Sequence, residues 1–434
     1  MQTAKLFFLL LVASLAVLVA VVEAGTTVPQ GPFVRPRSYG DHFGAFTLCG
    51  GPALFGGNRP LETFLNSMVR VPVYDDSLGI IVSNSLPRNR NVSGNVALLI
   101  NLRAFTLMQV TDKVASNQAW AFTATNCTYA PLVKDARWTF YMAYNGSSVF
   151  PADATEFAGA VVNKRYAVWA GGELASGSVI SNAFVIDSNT DTISGASLSV
   201  ARSGVAGVTA TDGTAWFAGG VDRPKMQVFD TVDVINKDLN VESAQFQLSE
   251  PRGFAAGASA KGIVMIGGGI ANYSDTGNGT IVATYSRTVD LFNLSTKKRT
   301  TLQLSVPRGM LTATATTDYI VFAGGITHSV YNSTTWELIE ETYAQRIDVY
   351  HIESGTWSVA QLSQPRAYLA STAVGNAVVF SPGSYHEALG GNSTGVNTTV
   401  AYTNTIDVFR FTYTSPASSL RASPIFAYLA SLFA

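Results

Sequence analysis

Four histidines stand in this chain of 434 residues: His42, His328, His351 and His386. Two of them share a spacing. His328 lies three residues after the second glycine of Gly324-Gly325, and His386 lies three residues after Gly383 in a Ser-Pro-Gly. Tyr385 precedes His386. Two imidazoles and a phenolate are donors from which a copper site can begin. A second group, Glu337, Glu340 and Glu341, offers the paired carboxylates of glycoside chemistry, but in one run beside Asn332. Acidic residues in such a run ordinarily face water. A third group, Asp222, Arg223 and Lys225, is a polar patch suited to a protein or glycan partner. The chain has no Gly-x-Ser-x-Gly elbow, His-Glu-x-x-His helix or P-loop. Its net charge of −1 gives no ground for a nucleic-acid partner or an anionic membrane surface.

The elements that must position these residues recur along the chain. Leu-Ser-x-x-Arg occurs at 198–202, 248–252, 304–308 and 362–366, with Pro before the arginine in the last three. The four arginines are 50, 56 and 58 residues apart. Ser85 to Arg88 and Arg35 to Arg37 are weaker copies. Between the arginines an apolar run ends in paired glycines at 171–172, 219–220, 267–268 and 324–325, with Gly50-Gly51 as an earlier example. An apolar-Asp-apolar segment follows, around Asp233, Asp290, Asp348 and Asp407, and Val71 to Asp75 reads as its first copy.

Each unit therefore predicts four short strands: one after the Arg, one running into the glycines, one around the Asp, and one before the next Leu-Ser. Tight strand exits call for Gly. A sheet of this kind cannot bury both faces alone, so the copies must stack around an axis. Only 13% of residues are charged, Gly numbers 38 and aromatics make 11%. That composition, rich in Ala, Val, Thr and Ser, agrees with an all-β chain. Seven four-stranded units are expected, six being the alternative, because residues 87–150 contain no Gly-Gly. That stretch reads as one degenerate unit or one with a long insertion.

These marks resemble the kelch repeat. The fullest copy is Arg346 to Tyr350, then Gly355-Thr356-Trp357, then Pro365-Arg366. The resemblance covers about residues 36 to 413 and implies an all-β, kelch-type β-propeller, with binding or adhesion as its ordinary use. The kelch Trp survives only at Trp357, and Arg299 takes its place one unit earlier. Galactose oxidase, a copper enzyme on such a propeller, is the alternative the resemblance brings. It implies a Tyr-Cys cross-link, a second Tyr and two His on one copper. No His follows His386, and Cys49 has no such motif around it. A non-enzyme without cofactor is the expectation; a copper radical oxidase or carbohydrate-active enzyme is the alternative.

Antiparallel order within each unit puts the 2–3 and 4–1 connections on one face. The 2–3 connections of the last three units are long, and Asn272, Asn278, Asn332, Asn392 and Asn397 fall in them as Asn-x-Ser/Thr triplets. Asn91, Asn126, Asn145 and Asn293 are further triplets, the last two on the opposite face. Long loops on a rigid scaffold are where such folds carry function. Cys49 and Cys127 are the only cysteines, available for one disulfide.

The ends set the compartment. Lys5, an apolar run from Leu6 to Val22, and Ala24 before Gly25 predict a signal peptide over residues 1–24. Residues 25–35 form an N-terminal segment expected to close the last unit, 36–414 the propeller, and 415–434 a tail. Small residues and an apolar end give that tail the look of a GPI-attachment signal; a packed terminal segment is the other reading. The expectation is a secreted or lipid-anchored surface protein that binds an extracellular protein or glycan. Its only route to a membrane would be that anchor.

Overall fold

The computed structural model describes residues 154–411 except 175, 244, 337, 376, 382, 389–397 and 403–405, together with the strands named below between 28 and 143. Both terminal segments, 1–24 and 415–434, lie outside the described residues. Among the described residues every regular element is a strand, and no helix is long and apolar enough to cross a membrane.

The fold is propeller-like, made of four-stranded antiparallel sheets whose strands follow in chain order. The first unit contributes Phe43–Leu48, Gly51–Gly56, Ser67–Arg70 and Ile80–Ser83. The second contributes Val92–Ile100, Arg103–Thr111, Ala115–Thr123 and Arg137–Ala143. The third has Ala158–Val162, Tyr166–Ala170, Asn182–Asp187 and Ile193–Ser197. The fourth has Ala206–Thr209, Ala215–Ala218, Val232–Ile235 and Val241–Glu242. The fifth has Ala256–Ala260, Ile263–Gly267, Thr288–Asn293 and Arg299–Gln303. The sixth has Thr312–Ala315, Tyr319–Ala323, Arg346–His351 and Thr356–Gln361. The seventh has Ser371–Val374, Ala377–Phe380 and Ile406–Arg410, and its outer strand is Val28–Gln30 from the other end of the chain. Val28 pairs with Val408 and Gln30 with Ile406.

The first strands of successive units lie side by side, and that of unit seven also lies against that of unit one. Small residues make this crowding possible. A Cβ on Gly207 would come within 2.5 Å of the Gly159 carbonyl of the unit before. Farther out, large side chains fill the space between sheets. Trp216 of unit four packs on Phe246 at 4.4 Å and on Phe292 of unit five at 5.3 Å.

Two sequence readings of the first unit need correction. Gly51 opens the second strand, paired with Leu48, rather than ending it. The second strand instead ends at Gly56, the first glycine of Gly56-Gly57. Its third strand is Ser67–Arg70, and Val71 to Asp75 lies outside the described residues. In the fifth unit the left-handed pair is Gly268-Gly269, one residue later than the sequence suggested. The second unit is one sheet whose first three strands have nine residues each, with no long insertion between those three.

The recurring marks prove to be a single device. In units four to seven the opening arginine is buried against the aspartate of the unit's third strand: Arg202–Asp233 at 2.9 Å, Arg252–Asp290 at 2.5 Å, Arg308–Asp348 at 2.7 Å and Arg366–Asp407 at 3.0 Å. The serine of Leu-Ser donates its backbone N–H to the same carboxylate, as Ser199, Ser249, Ser305 and Ser363 all do. Burial lowers the pKa of Arg202, Arg308 and Arg366, and the aspartate pulls each back up. The second glycine closes the lock. Gly220 N–H donates to Arg252 O at 3.0 Å, and Gly269 N–H to Arg308 O at 2.8 Å. At Gly219, with φ +64°, a Cβ would stand 2.0 Å from Arg252 O, so backbone contact and left-handed conformation both demand glycine.

Candidate functional site

The face carrying the 2–3 and 4–1 connections holds the site. Isolated bridges tie the two kinds of connection together: Ser203 with Val221, Gly253 with Ile270, Gly309 with Ile326. One residue farther on, each 4–1 connection turns left-handed, at Glu156 (φ 54°), Gly204 (59°), Phe254 (55°), Met310 (49°) and Tyr368 (54°). Their backbones link in series across five units. Gly204 N–H donates to Glu156 O at 3.2 Å, Phe254 to Gly204 at 2.6 Å, Met310 to Phe254 at 3.0 Å, and Tyr368 to Met310 at 3.2 Å. Four non-glycine residues in this region each cost on the order of 1 kcal/mol or more, and such strain collects at functional sites.

Above this arc stand the 2–3 connections, which are hairpins. Val221–Asp222 pairs with Gln227–Val228 in unit four. Ile270–Asp275 pairs with Thr280–Tyr285 in unit five, and Ile326–Asn332 with Leu338–Tyr343 in unit six. Ser384–Ala388 pairs with Thr398–Tyr402 in unit seven. The hairpins of units five and six join through Thr280–Tyr285 and Ile326–Asn332 into one four-stranded sheet. This crown has its own core. Tyr273, Tyr285 and Tyr331 are buried there, with Trp336 beside them and Phe254, Met310 and Tyr368 of the arc in the same cluster. Tyr273 and Trp336 meet edge to face at 5.4 Å, and the Tyr285 hydroxyl shares a hydrogen bond with Ser329 Oγ at 2.8 Å. Burial raises the pKa of all three tyrosines, that of Tyr331 to about 12, so the crown presents neutral phenols.

Asp222, Arg223 and Lys225 are all ion-paired, and of the three Lys225 stands well exposed. Asp222 is buried and takes Lys225 at 2.6 Å. Arg223 reaches back to unit three, 2.9 Å from both Glu156 Oε1 and Glu173 Oε2, and lies 5.9 Å from the centre of the Phe254 ring. Burial raises the pKa of Glu156 despite Arg223, and its Oε2 is enclosed without a hydrogen-bond partner. Glu156 and Glu173 escaped sequence reading because neither acid recurs at the matching position of the later units, where Gly204 and Val221 stand in unit four. The Arg–Asp pairs escaped for a different reason: both members recur in every late unit, and that shared period was the signal to couple them.

His328 stands in Ile326–Asn332 with Nε2 3.9 Å from Glu340 Oε1, and His386 in Ser384–Ala388. The strand Leu338–Tyr343, which carries Glu340 and Glu341, runs between those two strands. His351 lies at the opposite end of its unit, bonded to Ser354. Among the described residues no three His, Cys, Asp or Glu side chains gather as a metal site. His42, Glu337, Cys49, Cys127, Asn91, Asn126, Asn145, Asn392 and Asn397 lie outside the described residues.

The geometry defines a class: an all-β chain of repeated four-stranded sheets in a propeller-like fold, bearing a hairpin crown on one face. No family model matches the chain, and no curated protein matches it. Among solved structures, the one titled "Structure of YjhT" aligns at 15% identity with a TM-score of 0.48, over 71% of this chain and 96% of that one.

Proposed function

We propose that this chain is a secreted or cell-surface kelch-type propeller of seven blades that binds an extracellular protein or glycan through its crown. The crown carries this reading. Four consecutive 2–3 connections are built as hairpins, and three of them share an aromatic core with the arc beneath. A rigid platform raised on a repeat scaffold suits recognition. The seven-blade count is supported by seven consecutive sheets and by the meeting of the first and last inner strands.

The test is a screen of the secreted protein against arrays of glycans and extracellular domains. A second sample has Lys225, Asp275 and Glu340, exposed on three hairpins, changed to Ala. A ligand held by the parent and weakened at least tenfold in the variant supports the proposal. A ligand indifferent to the three changes removes the crown as the binding face. Metal analysis of the same preparation tests the enzymatic alternative. Stoichiometric copper that disappears in His386→Ala would put the oxidase reading first.

A further inference from the structure

The crown sheet ends on one side at Ile270–Asp275, which pairs with Thr280–Tyr285 and, at Ile270 alone, bridges Gly253. The neighbouring hairpin of unit four lies against this strand but has only two residues in each arm. A six-residue edge is thus covered over part of its length. Uncovered edges offer a row of backbone donors and acceptors to any other strand, and proteins guard them. One guard is visible: the register shifts between Ile270 and Asn272, a bulge that bends the edge. Beyond the bulge the strand alternates. Tyr273 is buried against Trp336, while Asn272 and Ser274 are exposed on the other face.

Asn272-Tyr273-Ser274 is an acceptor triplet for N-linked sugar. Asn272 Nδ2 donates to Ser274 Oγ at 3.1 Å, so both members of the triplet stand together in water. The triplets at Asn293 and Asn332 are used differently. Asn293 Oδ1 accepts the backbone N–H groups of Ser295 and Thr296, and Asn332 Oδ1 those of Thr334 and Thr335. Those side chains close turns; that of Asn272 closes none and stands on the crown's edge strand.

We propose that Asn272 is a glycosylation site whose sugar shields the crown's edge strand from pairing with another chain. This rests on the secretory reading above. In the transfer, the amide nitrogen attacks the anomeric carbon of an oligosaccharide carried on a lipid pyrophosphate. The carbon–oxygen bond to the pyrophosphate breaks, and the amide proton leaves with the phosphate.

Glycopeptide mass spectrometry on protein secreted from a eukaryotic cell measures occupancy at each triplet. Light scattering across a concentration series follows self-association of the parent, Ser274→Ala and Ser274→Thr. Ser274→Ala abolishes the triplet and keeps Asn272, and Ser274→Thr preserves it. The expected result is sugar on Asn272 in the parent and in Ser274→Thr, both monomeric. Ser274→Ala should melt at the same temperature but form dimers and larger species as it is concentrated. An unmodified Asn272 beside occupied triplets elsewhere overturns the proposal, as does a Ser274→Ala protein that stays monomeric. Sugar at no triplet at all overturns the secretory reading itself.

Discussion

A guanidinium removed from water needs a carboxylate, and a carboxylate removed from water needs donors. Asp290, with no exposed surface, has Arg252 and the Ser249 N–H. Replacing a buried pair by apolar groups is often tolerated, but removing one partner strands the other charge. Asp290→Ala should therefore cost about 3–5 kcal/mol in chemical denaturation. Changing Asp238, whose pair with Lys237 is exposed, should cost under about 1 kcal/mol. Glu156 offers the opposite case. Burial raises its pKa in the fold, so the folded chain holds this proton more tightly than the unfolded one. Its contribution is favourable below the unfolded value near 4.5 and is lost as pH rises through the folded value. Glu156→Gln should raise the melting temperature at pH 7 and leave it unchanged near pH 4, measured in parallel scans. The marks themselves were legible: Leu-Ser-x-x-Arg and the apolar-Asp-apolar run stood out by recurrence. Their partnership was not. Arg308 and Asp348 are joined across four intervening strands, and nothing local to either announces the other.

At the scale of elements, the strands of units three to seven follow from short apolar runs punctuated by glycine. The first unit misled because its second strand has a glycine at each end, and only the cross-strand register, Leu48 with Gly51 and Phe43 with Gly56, tells its start from its finish. The crown hairpins were harder still. Their strands carry acceptor triplets and bulges, which break alternation, so they read as long loops. Their stability comes from a core separate from that of the sheets below, with Trp336 touching both Tyr273 and Tyr331. Trp336→Ala should consequently speed amide hydrogen exchange across 270–285 and 326–343, with little change in the second strands such as Ile263–Gly267 and Tyr319–Ala323. Uniform acceleration throughout would mean that crown and sheets open as one unit.

At the scale of the molecule, one pairing spans the whole chain. Val28–Gln30 completes a sheet whose other strands begin at Ser371. Deleting residues 25 to 34 would leave Ile406–Arg410 as an unpaired edge, and the protein should melt several degrees lower and aggregate on heating. Unchanged melting would mean that these residues contribute nothing to closure. The same pairing imposes an order in time. Val28 leaves the ribosome 380 positions ahead of its partner Val408. At roughly 5–20 residues per second, the early strand waits on the order of 20–75 s for the strand it completes. Through that interval the growing chain has an available end and no place to put it. The last sheet is thus assembled late, from segments made far apart in time.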